Sequence, residues 1–265
     1  MSLFWLTAAF VLLAVVLPPI AQPQSYHAFV DARSLLGVPN FWNTASNLAF
    51  VIVGFAGIAL LTPARRLAAH FRDPAERLPY LAFFAAVALT GFGSAWYHLA
   101  PDDARLVWDR LPIALACAAL PLALFADHDG DRYRRAVTAG ILPALGIGAV
   151  TVGWWAHTAR DEGGGNLVPY FALQAYAVAA TLWYLLARPP RYTRRNDLWV
   201  VIAIWGLARA TEWLDAFLYA NGWLLSGHTL KHLLAALAAA WVLRMIRRRE
   251  PLAGPAVATT PVPAS

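Results

Sequence analysis

Long apolar runs, separated by short polar loops, make up most of the chain. The runs fall near residues 3–21, 41–61, 79–99, 108–126, 135–156, 169–187, 197–220 and 227–246. Each holds about 19 to 24 residues, enough for a helix to cross a hydrocarbon core of roughly 30 Å. Lipid offers no hydrogen-bond partners to a backbone, so the runs read as helices and not as open strands. The pattern predicts an all-α polytopic membrane protein. The first run has the length of a signal peptide, yet residues 1–6 carry no Lys or Arg and no small-x-small cleavage site follows Pro18-Pro19. It therefore reads as a retained N-terminal transmembrane helix within residues 1–24, ahead of one membrane domain over 25–250. Residues 251–265, rich in Pro, Ala and Thr, read as a disordered cytoplasmic tail.

Composition agrees with a membrane setting. The chain is 60% hydrophobic and 14% charged, where soluble domains carry roughly a quarter charged residues. The loops differ in charge. Arg65, Arg66, Arg72 and Arg77, then Arg132, Arg134 and Arg135, then Arg188, Arg191, Arg194 and Arg195, then Arg244, Arg247, Arg248 and Arg249 lie in alternate connections and at the end of the last run. They make up most of the 21 Lys and Arg. The positive-inside rule then puts both termini in the cytoplasm. These arginines also account for the net charge of +6 and the pI near 9.8, and they point to anionic lipid and not to nucleic acid. The only cysteine, Cys117, lies within an apolar run, so no intramolecular disulfide forms. No feature sets an oligomeric state.

Once orientation is assigned, the polar residues inside the runs fall at one depth. Ser94 and His98 lie near the outer end of 79–99, and Asp109 opens 108–126. Glu212 and Asp215 lie in the outer part of 197–220, Asn43 and Asn47 at the outer start of 41–61, and His228, Lys231 and His232 in the first turns of 227–246. Ionisable residues at membrane depth are expensive and usually face one another or a wet cavity. One outward-facing site is the economical explanation.

The residue types suggest hydrolysis. His228 and His232, spaced i and i+4, share one helix face, and His98 adds a third imidazole from another helix. Three such ligands suit a catalytic zinc, which keeps a fourth position for water and makes that water a nucleophile near neutral pH. Asp109 is placed to carry a proton from water to a leaving group. Ser94, one turn before His98, can donate to the oxyanion of an attacked carbonyl. Glu212, Asp215, Asn43 and Lys231 are candidates for supporting the metal ligands.

Plainer roles are available to each. A single buried histidine often serves as an interhelical hydrogen-bonding residue, and Ser94 as a small packing residue. Asp109 beside Arg110 reads equally as an interfacial ion pair. Glu212, Asp215 and Arg209 read equally as a structural charge network, and Lys231 as a snorkelling side chain. His27, His70, His128 and His157 read as loop residues without a specific role.

In this order the residues resemble the alkaline ceramidase family, within the superfamily that includes the progestin and adipoQ receptors. Asn40-Phe41-Trp42-Asn43-Thr44-Ala45-Ser46-Asn47 is similar to the family's acidic residue-Phe-Trp-Asn-Thr-x-Ser-Asn. Gly93-Ser94 through His98 is similar to Gly-Ser-x-x-x-His, and Asp109 with Leu111-Pro112 to Leu-Asp-Glu-Leu-Pro. Gly227-His228 through His232 is similar to Gly-His-x-x-x-His, and Glu212-Trp213-Leu214-Asp215 to the acidic stretch before the final helix. The resemblance spans roughly residues 25 to 246. It implies a seven-transmembrane-helix core from about residue 41, preceded here by the extra N-terminal helix. It also implies a zinc amidohydrolase acting on a membrane lipid, cleaving an N-acyl sphingoid lipid into fatty acid and amine. His98, His228 and His232 would be the zinc ligands, with Asp109 and Ser94 catalytic.

One departure concerns calcium. Eukaryotic members carry a calcium site built from an acidic cluster ahead of the first core helix and the acidic residue before Phe-Trp-Asn. Here that residue is Asn40, and upstream only Asp31 is acidic. An oxygen-ligand calcium site needs more carboxylate, so zinc is expected and calcium is not. The Ala-, Leu- and Arg-rich composition with a single Lys suggests a GC-rich bacterial source. The inner membrane is then the expected location, and an amide lipid broader than ceramide the expected substrate. The alternative is a receptor-like or structural membrane protein with a non-catalytic zinc site. Paired histidines holding haem are a weaker fit, since facing pairs are needed and one pair is present.

Overall fold

A computed structural model describes residues 2–63, 70–162 and 164–252. Arg65, Arg66 and tail residues 253–265 lie outside the described residues. Among those described, the fold is all helical, with two isolated bridges and no sheet. We number the main helices α1 (Leu3–Val16), α2 (Phe41–Leu61), α3 (Arg77–Leu99), α4 (Asp103–Asp129), α5 (Arg134–Arg160), α6 (Val168–Ala187), α7 (Asp197–Trp213) and α8 (Gly227–Arg248). Helices α2 to α6 and α8 are long and apolar enough to cross a membrane. The chain is a polytopic integral membrane protein.

Two elements differ from the sequence expectation. The first run forms 14 helical residues, or about 21 Å at 1.5 Å per residue, because Pro18-Pro19 cannot continue a helix. It packs on α6, where Thr7 Oγ1 lies 3.0 Å from Tyr176 Oη. The run at 197–220 is broken at Leu214 into α7 and a short helix, Asp215–Ala220. The break turns the Asp215 carboxylate back to accept from the His228 backbone N–H at 2.8 Å.

Helices α4 and α5 are one helical stretch by backbone conformation that doubles back on itself. A Cβ on Gly148 would meet the Ala114 carbonyl, and one on Gly140 the Leu122 side chain, so the two halves lie side by side. Around them α3 packs along α4, α2 along α3 and α8, and α7 along α8. Between α1 and α2 a strap over residues 20–31 crosses one end of the bundle. Its Gln22 N–H donates to the Gly164 carbonyl and its Ile20 carbonyl accepts from Leu167 N–H.

The opposite end is held by a second ionic cluster, unanticipated because its members are far apart in sequence. Arg249 is 1% exposed and donates through Nη1 to Asp127 Oδ2 at 2.6 Å, which also accepts from Tyr80 Oη at 2.6 Å. The Phe71 and Tyr192 rings lie 4.3 and 4.2 Å from the Arg249 guanidinium. Burial and a hydrogen bond to Glu76 push the Tyr192 phenol well up. Directly after Arg249, Thr193 N–H donates to Glu250 O and Leu252 N–H to Arg191 O, with Pro251 bridging Tyr192. The first residues of the expected tail are therefore docked.

Candidate metal centre and cavity

Two glycines let the helices meet where the chemistry sits. A Cβ on Gly93 would lie 2.0 Å from the Trp108 carbonyl oxygen. The bare Cα therefore lets α3 touch α4 where Ser94 meets Asp109. A Cβ on Gly227 would lie 2.0 Å from Thr211 O and 2.7 Å from Asp215 Cα, so α8 begins hard against the end of α7. Ser226 caps α8 by accepting from Thr229 N–H at 3.2 Å.

These contacts bring His98 from α3 and His228 and His232 from α8 together, with one ligand nitrogen from each lying within 4.8 Å of the others. All three are at most 5% exposed. Ring centroids are 4.8 to 5.1 Å apart. Around zinc at about 2.1 Å, tetrahedral nitrogens stand about 3.4 Å apart, a difference that ring rotation spans. His98 Nδ1 is buried without a hydrogen-bond partner. Three buried imidazoles converging with His98 Nδ1 unanswered fit a metal better than they fit one another.

His232 is oriented by α2. The Ser46 hydroxyl donates to the Asn43 carbonyl at 3.1 Å and lies 2.9 Å from His232 Nδ1. With its own proton committed, Ser46 accepts from Nδ1–H, which leaves Nε2 of His232 as the free lone pair. Asn43 is fully buried; its Oδ1 accepts from Thr229 Oγ1 at 2.7 Å and its Nδ2 donates to the Asp31 carbonyl at 3.3 Å. Asn40, at φ 47°, donates through Nδ2 to the His98 carbonyl at 2.8 Å, satisfying an end-of-helix acceptor.

The remaining candidates arrange as follows. Ser94 Oγ is buried against the Asp109 carboxylate yet completes no hydrogen bond of good geometry. Asp109 lines the same cavity as His228 and His232 but stands outside the group of converging ligand atoms. Lys231 does not snorkel: its Nζ lies 2.8 Å from Glu212 Oε1 and 3.3 Å from His228 Nε2. Glu212 also takes Arg209. Asp215 supports His228 through its backbone. Arg110 does not pair with Asp109; its guanidinium turns to Gln22 and the Trp155 ring.

Two reassignments concern histidines and calcium positions. His27 Nδ1 lies 2.9 Å from Tyr97 Oη and its Nε2 3.1 Å from Asp103 Oδ1, pinning the strap. His128 and His157 are helical, and His128 stacks on Tyr184. Asp31 is held bidentate by Arg33 at 2.8 and 2.7 Å, which keeps its carboxyl below the usual range. Its carboxylate and the Asn40 amide are thus engaged within the protein.

Sequence reasoning missed Phe29, whose ring lies 4.6 Å from His98 and 4.8 Å from His228 and covers the centre from the strap. It assigned no role to Ser46, although Ser46 follows Asn43 by three residues and shares its helix face. Below the histidines opens a cavity of about 670 Å³. It runs between α3, α4, α6, α7 and α8 from Ser94 and His228 to Leu198 and Val242, with walls that are mostly apolar, such as Phe83, Val87, Leu120 and Val201. A sequence profile described as Ceramidase matches residues 37–249, which takes in every residue of the centre except those of the strap. No individually curated protein matches the chain.

Proposed function

The chain belongs to the ceramidase family, hydrolases of the amide bond in ceramide-like lipids, and from that premise we propose a zinc-dependent amidohydrolase that splits an N-acyl lipid held in the cavity. His98, His228 and His232 would hold the ion. Zinc on three imidazoles supplies a Lewis acid and an activated water. The chain's own residues do the rest. Asp109 accepts the proton of the attacking water and returns it to the amide nitrogen as the C–N bond breaks, releasing an amine and a fatty acid. Ser94 donates to the carbonyl oxygen as negative charge develops there. Ser46 orients the His232 ring, and Asp215 holds the His228 backbone. Phe29 excludes bulk water, and the apolar cavity takes the acyl chain. The alternating arginines favour a centre at the outer face, with both termini in the cytoplasm.

The observation that carries this reading is the meeting of three buried histidines with a carboxylate and an unpartnered hydroxyl at the head of an apolar cavity. The test is Asp109→Asn. A positioned proton carrier is worth about 10²- to 10⁴-fold in rate, so the variant should retain metal and fold while losing that much activity on a fluorescent N-acyl amide. Full activity in a metal-loaded variant would remove Asp109 from the mechanism. A parent that cleaves nothing in a broad N-acyl panel would return the chain to a receptor-like role.

A further inference from the structure

Arg110 follows Asp109, is 5% exposed and lines the same cavity. Its company is unusual for a buried cation. Nη2 donates to Gln22 Oε1, and the guanidinium lies 4.3 Å from the Trp155 ring centre and 5.5 Å from those of Tyr26 and Tyr170. Among the described residues it forms no ion pair, and Nη1 is buried without a hydrogen-bond partner. Glu212, the other carboxylate lining that part of the cavity, is shared between Arg209 and Lys231.

A guanidinium withdrawn from water needs a counter-charge. Aromatic faces recover part of the lost solvation, and a neutral amide supplies one acceptor but no charge. Lysine can shed its proton in such a place, whereas arginine does not. Asp109 next to Arg110 acts through space without pairing with it, so among the described residues no anion contacts the guanidinium.

We propose that Arg110, with Gln22 beside it, receives an anionic oxygen group of the lipid that occupies the cavity. A planar guanidinium offers paired N–H donors to carboxylate, phosphate or sulfonate. This deepens the hydrolase reading and rests on it for the identity of the occupant. Two sources carry that chemistry: an acidic head group on the substrate, or the carboxylate of the released fatty acid.

Binding is measured first, because it needs no turnover. Purified full-length protein in detergent is titrated with a long-chain alkyl phosphate, the fatty acid and the alcohol of equal chain length, following thermal stabilisation. The parent should bind the anions more tightly than the alcohol. Arg110→Gln should weaken anion binding by at least about tenfold, the scale of a lost charged hydrogen bond, and leave the alcohol unchanged. Equal weakening of all three, or a parent that does not discriminate, overturns the proposal. If Arg110→Gln fails to fold, Arg110→Lys is judged by the same ratio, and the parent's discrimination stands as a test by itself.

Hydrolysis then separates the sources. A preference for N-acyl lipids with acidic over uncharged heads, abolished in Arg110→Gln, assigns the head group. Product inhibition by fatty acid that weakens in Arg110→Gln, without head-group preference, assigns the carboxylate. Hydrolysis that shows neither effect overturns the proposal. Absence of all hydrolysis alongside Arg110-dependent anion binding would sink the hydrolase reading and leave the receptor for an anion standing.

Discussion

At the residue scale one of the three imidazoles has its other ring nitrogen already committed: His232 Nδ1, held by Ser46. Purified protein should carry about one zinc per chain, the stoichiometry of a three-histidine site, and His232→Ala should lose most of it. Ser46→Ala should act more gently: it frees Nδ1 without removing the ligand, and supporting hydrogen bonds of this kind are worth about 10- to 100-fold in metal affinity or activity. Titration with a competing chelator distinguishes the two. Identical zinc affinity in parent and Ser46→Ala would show that the hydroxyl does not orient His232. His228 and His232 were legible because i and i+4 spacing announces a shared face, and His98 because it falls at the same depth of another apolar run. Ser46 and Phe29 were not, since their value lies in rings 186 and 199 positions away and in a strap whose path no local pattern encodes.

At the scale of elements, helix contact is set by absent side chains. Gly93→Ala would drive a methyl into the Trp108 carbonyl, and overpacking of this kind costs about 1 to 3 kcal/mol. We expect a lower melting temperature together with reduced activity, because Ser94 and Asp109 move apart with the helices. Gly153→Ala, where nothing lies within 4 Å of the new methyl, is the matched control and should change neither. If both variants melt alike, the close approach of α3 to α4 is not what seats Ser94. Helix positions were largely readable from apolar run lengths. The break at Leu214 was not, because the run continues through it; what interrupts the helix is the demand of α8 for the Asp215 carboxylate. Pro112, Pro121 and Pro143 lie inside helices all the same, where neighbouring groups in a bundle satisfy the freed carbonyls.

For the whole molecule, the two ends differ in kind. One holds converging imidazoles under a strap, the other a buried Arg249–Asp127 pair that docks residues 250–252 onto the loop at 191–193. In the proposed orientation the first lies at the outer face. A non-permeant zinc chelator added to intact spheroplasts should then stop hydrolysis, and inhibition only after the membrane is opened would invert the orientation. The Arg249–Asp127 cluster was invisible in the sequence because Asp127 and Arg249 are 122 residues apart and each sits at the edge of an apolar run, where a single charge reads as ordinary.

The strap also has a consequence in time. Phe29 is made early and the histidine it covers, His228, almost last. At synthesis rates of about 5 to 20 residues per second, the roughly 200 residues between them take about 10 to 40 seconds. Throughout that interval Phe29 can meet only His98, and the two histidines of α8 do not yet exist. With the proposed ligand set, a chain stalled before residue 228 holds one imidazole of three, so hydrolysis at this centre waits for α8 to be made.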